Sequence, residues 1–200
     1  MHRRRKLILP LAALVIVALT VYRLNRGERP PAAVPKSAAE LPRPAPPLAI
    51  PLSDQHKHPV KLERYYGRAP VVIVFFDAET GADHDPSLTR LRDCFDAIED
   101  AGIEVVGISS ATPFENQQME ERSGLKFPFP LLSDIHPQGL SPTPVHIQFG
   151  LFDPSAHSTR TAMFLIDRAG RMPWDGRFPR PVGDPASAID ALCRGEWPGD

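Results

Sequence analysis

The stretch VVIVFFDAETGADHDPSLTRL, Val71 to Leu91, decides the fold class. Val71 to Phe76 is apolar at every position, as in a strand covered on both faces; a strand with one wet face would alternate. A polar loop follows. Asp85-Pro86-Ser87 then has the form of a helix start, with an aspartate to accept amide hydrogen bonds and proline at the first helical position, where its missing N–H costs nothing. From Pro86 to about Ala101, the residues Leu88, Leu91, Phe95 and Ile98 recur at helical spacing, and Gly102 stands where a C-terminal cap belongs. A buried strand thus feeds an amphipathic helix through a polar junction.

Downstream the alternation continues. Ile103 to Ser109, IEVVGIS, reads as a second buried strand. Thr112 and Glu115 are spaced for a capping box, Pro113 occupies the first helical position, and Gly124 closes that helix. FPFPLLSD predicts a short strand closing at Asp134, and TAMFLIDRAGRMPW predicts a hairpin turning at Ala169-Gly170. Asp184-Pro185 opens a last helix to about Cys193. Residues 135–159, rich in Pro, His and Ser, read as a long loop with at most one short strand. This order predicts an α/β domain with a mixed central sheet and helices on both faces.

Two segments precede the domain. Arg3, Arg4, Arg5 and Lys6 lead into an uncharged, mostly apolar run from Leu7 to Tyr22, 16 residues and about 24 Å as a helix. The run is short for a spanning helix but is followed by no small-x-small cleavage site, which favours an uncleaved membrane anchor over a signal peptide. The early basic residues outnumber Arg23 and Arg26 beyond it, so the N-terminus is expected in the cytoplasm and the domain outside it, in the periplasm. Arg29 to Pro51 carries eight prolines in 23 residues, a composition of extended, semi-stiff spacers. The expected organisation is a basic tip and anchor over 1–28, a Pro-rich linker over 29–47, and a folded domain over 48–200.

Residues 1–29 carry seven Lys/Arg and one acid, a charge of +6; the whole chain is −1, leaving −7 on residues 30–200. That acidic balance argues against a nucleic-acid partner. The expected partner is the membrane, through the anchor, with a protein partner of unknown kind possible in principle. No cofactor motif is present. The two cysteines, Cys94 and Cys193, form no Cys-x-x-Cys pair, so neither a zinc site nor a dithiol redox motif is legible. An oxidising compartment would permit a disulfide between them, but their separation in space is not readable from sequence.

PLAIPLSDQHKHPVKLERYYGRAPVVIVFF, GIEVVGISSATPFENQQMEERSGLKFPFPLLSD and MFLIDRAGRM, in this order, resemble the peroxiredoxins, the alkyl hydroperoxide reductase/thiol-specific antioxidant branch of the thioredoxin fold. The resemblance spans about residues 48–193 and implies a thioredoxin-like sheet. It also implies a reactive cysteine at the start of the first long helix, a threonine three residues earlier that orients peroxide, and an arginine just before the F-x-I-D strand. Helix amides and the arginine would lower the thiol's pKa and expose a thiolate to peroxide. Counted from Phe75-Phe76, those places fall near Asp85, near Ala82 and at Thr161, with Arg160 one residue away on what an alternating strand would make the opposite face.

On this resemblance the chain is expected to be a membrane-tethered, peroxiredoxin-like binding or accessory module without peroxidase activity. Two alternatives stand beside it. One is a thiol-dependent peroxidase or oxidoreductase using Cys94, although Cys94 and Cys193 read first as half-buried packing cysteines on their helices. The other is a metal-binding redox accessory protein using Asp83, His84 and Asp85, with Glu79, His136, His146 or His157 as further ligands. Carboxylates and a histidine on an exposed loop are more commonly solvated than metal-bound, so no metal is assigned.

Overall fold

The computed structural model describes residues 42–47, 51–135 and 143–199. All of these lie in the unit Ala38–Asp200. The anchor expected over Leu7–Tyr22, and residues 29–41 of the linker, lie outside the described residues. Among the described residues no helix is long and apolar enough to cross a membrane.

The strands, in chain order, are β1 (Arg43–Pro44), β2 (Leu52–Ser53), β3 (Pro59–Val60), β4 (Val71–Phe75), β5 (Glu104–Ser109), β6 (Leu131–Ser133), β7 (Phe152–Asp153), β8 (Ser158–Thr159), β9 (Ala162–Ile166), β10 (Arg171–Met172), β11 (Trp174–Asp175) and β12 (Phe178–Pro179). The helices are α1 (Pro86–Asp93), α2 (Phe95–Asp100), α3 (Pro113–Ser123), α4 (Pro144–Gln148) and α5 (Pro185–Leu192). Six strands form one sheet in the order β3-β2-β6-β5-β4-β9. β5 runs parallel to both β4 and β6, while β9 is antiparallel to β4, pairing Val71 with Ile166 and Phe75 with Ala162. The sheet is therefore mixed, through β9 and through β2, which is antiparallel to both β3 and β6.

β4 explains why its sequence shows no polar position. Successive side chains point to opposite faces, and each face is covered. Val71, Ile73 and Phe75 join Val106, Ile108, Phe149 and Phe164 in one apolar cluster. Val72, Val74 and Phe76 join Leu88, Leu91, Ile98, Ile189 and Leu192 in the other. Burying a side chain of this size contributes about 1.5–3 kcal/mol, so β4 anchors both halves of the core. The coverage is unequal: α1, α2, α3 and α5 all contribute to the second cluster, whereas the first receives helical residues only from the short α4 and from a 3-10 turn at Leu62–Arg64. Gly107 lets the layers close, since a Cβ there would lie 2.8 Å from Leu131 Cδ2.

The end of the Pro-rich stretch joins the fold: Arg43 and Pro44 pair with Met172 and Arg171, and Ala45 is buried. A proline at a sheet edge sacrifices no ladder donor facing solvent, which makes this pairing possible. The helix from Pro86 does not run unbroken to Ala101. It breaks at Cys94, whose backbone leaves the helical region at φ −116°, ψ 20°. Residues 143–159 are not a plain loop, because they carry α4 and the β7–β8 pair.

Candidate functional site

β4 delivers the chain to the 77–85 loop through buried Phe75 and Phe76. Asp77 organises the loop's first turn. Its Oδ2 accepts from the Thr80 hydroxyl at 2.8 Å and its Oδ1 from the Glu79 amide at 3.2 Å. The Thr80 bond, then the Glu79 amide, hold the Asp77 carboxyl below its ordinary pKa. Gly81 turns the chain at φ +83°, and a Cβ there would come within 2.7 Å of Asp83 Oδ1. Ala82, near the place where the resemblance expects a threonine, is fully buried in the α1 side of the core.

The sequence-derived candidates separate at this point. Asp83 Oδ2 lies 3.2 Å from His84 Nδ1. Asp85 turns away from both: its Oδ1 accepts the Ser87 and Leu88 amides, each at 2.9 Å, and its backbone is extended, as an N-cap's must be. Asp85 is half-buried. Burial pushes its carboxyl pKa up, opposed only in part by the Leu88 and Ser87 amides. Among the described residues, no group of three or more His, Cys, Asp or Glu side chains is arranged to hold a metal ion. Of the further ligands named from sequence, His136 lies outside the described residues, His157 is exposed, and His146 is fully buried. Arg160 is held elsewhere as well: its Nη2 donates to the Gly150 carbonyl at 2.5 Å and its amide to the Leu151 carbonyl at 2.8 Å.

Cys94 and Cys193 are half-buried and pack against the second apolar cluster, as expected of packing cysteines, and the disulfide left open from sequence is present. They form a disulfide with a Cα–Cα distance of 5.2 Å and a sequence separation of 99. Cys94 ends α1 and Cys193 ends α5, so the bond ties together the C-terminal ends of two helices that also pack along their lengths. Sequence reading left this pair open because the fold, not the spacing, sets the distance.

A second buried constellation pairs two residues that sequence spacing does not connect. Asp134, just past β6, accepts the Val145 and His146 amides at 2.9–3.0 Å and caps α4. The same carboxylate lies 2.7 Å from His146 Nδ1, with both side chains fully buried. The His146 ring meets Phe75 edge-on at a centroid distance of 4.8 Å. The only legible hint was Pro144 at a first helical position, because a cap contributed from ten residues upstream has no local spacing. Between the 78–84 loop and α3 lies an open cleft of about 820 Å³ that takes in Asp83, His84 and the buried Asn116.

A mixed sheet in this order, with a capped helix leaving the end of its central strand, defines a thioredoxin-like α/β domain. The chain belongs to the AhpC/TSA family, whose pattern it matches over residues 42–174. Curated relatives include the chloroplastic peroxiredoxin Q of Sedum lineare, 35% identical over 83 residues, 42% of this chain and 43% of that one. Another is the chloroplastic peroxiredoxin Q of Populus jackii, 33% identical over 112 residues, 56% of this chain and 43% of that one. The matches thus span less than half the length of these relatives. Among solved structures, a peroxidoxin, BcpB, of Mycobacterium tuberculosis shares the fold at a TM-score of 0.55 and 21% identity, covering 78% of this chain and 96% of that one. The mitochondrial 2-Cys peroxiredoxin of Plasmodium falciparum shares it at 0.53 and 16%, covering 75% and 92%.

Proposed function

We propose that this chain is a thiol-dependent oxidoreductase of the peroxiredoxin class whose redox couple is Cys94–Cys193. Family membership and the names of the relatives favour this reading over a chemically silent module. The observation that carries it is the half-buried disulfide joining the chain's two cysteines. An external dithiol attacks the disulfide, passes through a mixed disulfide, and leaves two protein thiols as it becomes a disulfide itself. A hydroperoxide reverses the change. The Cys94 thiolate takes the terminal oxygen, the O–O bond breaks, and the alcohol leaves with a proton. The resulting sulfenic acid condenses with the Cys193 thiol, releasing water and restoring the disulfide.

The positions of the sulfurs set the rate. Cys193 stands at the C-terminus of α5, where the dipole's negative end disfavours a thiolate, while Cys94 lies between the C-terminus of α1 and the N-terminus of the six-residue α2 and makes no side-chain capping bond there. Asp85, not a thiol, takes the amide hydrogen bonds at the α1 N-terminus. In this proposal the helix-start position has no peroxidatic cysteine, and peroxide reduction by Cys94 is slow beside dithiol exchange. The test is peroxide consumption by the full-length chain with a dithiol reductant, compared with Cys94→Ser. Turnover that disappears in the variant supports the couple.

The capping geometry of Asp85 favours one other reading, in which the disulfide is a permanent staple and the domain is a non-catalytic accessory module. A disulfide that stays oxidised in the native protein under excess dithiol would select it. In either case we propose that the Leu7–Tyr22 run tethers the domain outside the cytoplasm. Recovery of the full chain in the membrane fraction, with the domain open to external protease, tests that placement.

A further inference from the structure

We infer that the cleft between the 78–84 loop and α3 binds a small zwitterion, a molecule of the α-amino acid class carrying both an ammonium and a carboxylate. The inference is independent of the Cys94–Cys193 chemistry. At about 820 Å³ the cleft has the size of a small-molecule site. One residue lining it is unusual: Asn116 on α3 is only 3% exposed, yet its Nδ2 is buried without a hydrogen-bond partner. A buried amide donor left unpaired is costly, and rotation of the Asn116 side chain toward the cleft it lines would let a ligand oxygen satisfy it.

The charged groups around Asn116 indicate which ligand. Asp83 is paired with His84, and Glu115 is committed to the α3 capping box, where its Oε2 accepts the Thr112 amide. The charged side chains that remain on the cleft are Glu79, on the loop, and Arg122, on α3. Both are exposed, and neither has a side-chain partner among the described residues. An open cation and a buried neutral donor call for a carboxylate, and an open carboxylate calls for an ammonium. A phosphate dianion fits poorly, because Glu79, Asp83 and Glu115 line the same cleft against a single arginine. Met119 and Leu125 add apolar wall, which suits an apolar side chain on the ligand.

The experiment is an NMR titration of the isotopically labelled full-length chain with L-leucine, beside N-acetyl-L-leucine, L-leucinamide and the dipeptide leucyl-leucine. L-leucine should saturate shifts of the Thr80, Gly81, Arg122 and Ser123 amides. Each blocked analogue should bind at least about tenfold more weakly, the loss expected when one charge-assisted contact goes. Glu79→Gln and Arg122→Gln, both at exposed positions, should each cause a loss of about the same size while leaving the rest of the spectrum intact. Tighter binding of leucyl-leucine than of L-leucine would assign a peptide source for the same zwitterionic chemistry and supports the proposal. Failure of both zwitterions to saturate these shifts, or equal binding by the blocked analogues or by the two variants, would overturn it.

Discussion

α1 and α5 are written almost identically. Each opens on Asp-Pro followed by a small residue, Asp85-Pro86-Ser87 and Asp184-Pro185-Ala186, and each ends on a cysteine bonded to the other. Their first residues nevertheless differ physically. Asp85 is half-buried at the end of β4, accepts two amides at 2.9 Å, and has its carboxyl pKa raised by burial. Asp184 is exposed and accepts one amide, from Ser187, at 3.1 Å. The local word fixes where a helix begins. The tertiary setting decides what chemistry that beginning can host, and only the α1 start stands at the junction where the family resemblance expects a thiolate.

The shared C-terminal ends give the largest handle on this pair. A disulfide closing a loop of roughly 100 residues stabilises by up to about 4.7 kcal/mol through the entropy of the unfolded chain. Cys94→Ser and Cys193→Ser should each lose a substantial part of that, roughly 3–4 kcal/mol, read as a lower Tm. The wild-type chain in excess dithiol should melt with the variants. A wild type indifferent to dithiol, melting above both variants, would show that the bond is not reducible in the native state.

Next come the two caps. Asp85→Ala removes the acceptor for two amides and should cost about 1–2 kcal/mol in denaturant unfolding, whereas Asp184→Ala should stay below about 1 kcal/mol. Equal costs would mean that burial at the α1 start adds nothing to the cap.

The smallest effect concerns protonation. Burial raises the folded-state pKa of Asp85 above its ordinary value of 3.8, so between those two values the native state holds a proton the unfolded state has released. Stability contributed by Asp85 therefore falls as pH rises through that window and is constant above it. Asp85→Asn keeps the capping oxygen without the charge. Its stability relative to wild type should rise as pH climbs from below the ordinary carboxylate value and then level off. A relative stability falling with rising pH would mean that the ionised carboxylate is the favoured form at the cap. Urea unfolding of both proteins across acid pH reads the sign directly.

Legibility in the sequence followed the range of the interaction. β4, the Asp85 and Asp184 caps, the Thr112–Glu115 capping box and the left-handed Gly124 at φ +68° all rest on contacts within a few residues, and all could be read from spacing. The break at Cys94, the disulfide, the edge pairing of Arg43–Pro44 and the Asp134–His146 pair depend on residues that only the folded topology brings together. Among the site candidates, proximity in sequence misled. Asp83, His84 and Asp85 are neighbours along the chain, but they divide between an ion pair and a helix cap. Arg160 falls near the expected arginine by counting, yet it is spent on the Gly150 carbonyl.

The central claim is that this chain's redox chemistry resides in the bond joining the ends of α1 and α5. The most direct measurement is a redox titration of the full-length native chain in a dithiol/disulfide buffer, with free thiols counted by alkylation and mass spectrometry and the fold followed by near-ultraviolet circular dichroism. The account predicts a reversible two-electron transition in which Cys94 and Cys193 become alkylated together while the near-ultraviolet signal persists. If thiols appear only as that signal is lost, the disulfide is a structural staple and the proposed function is wrong.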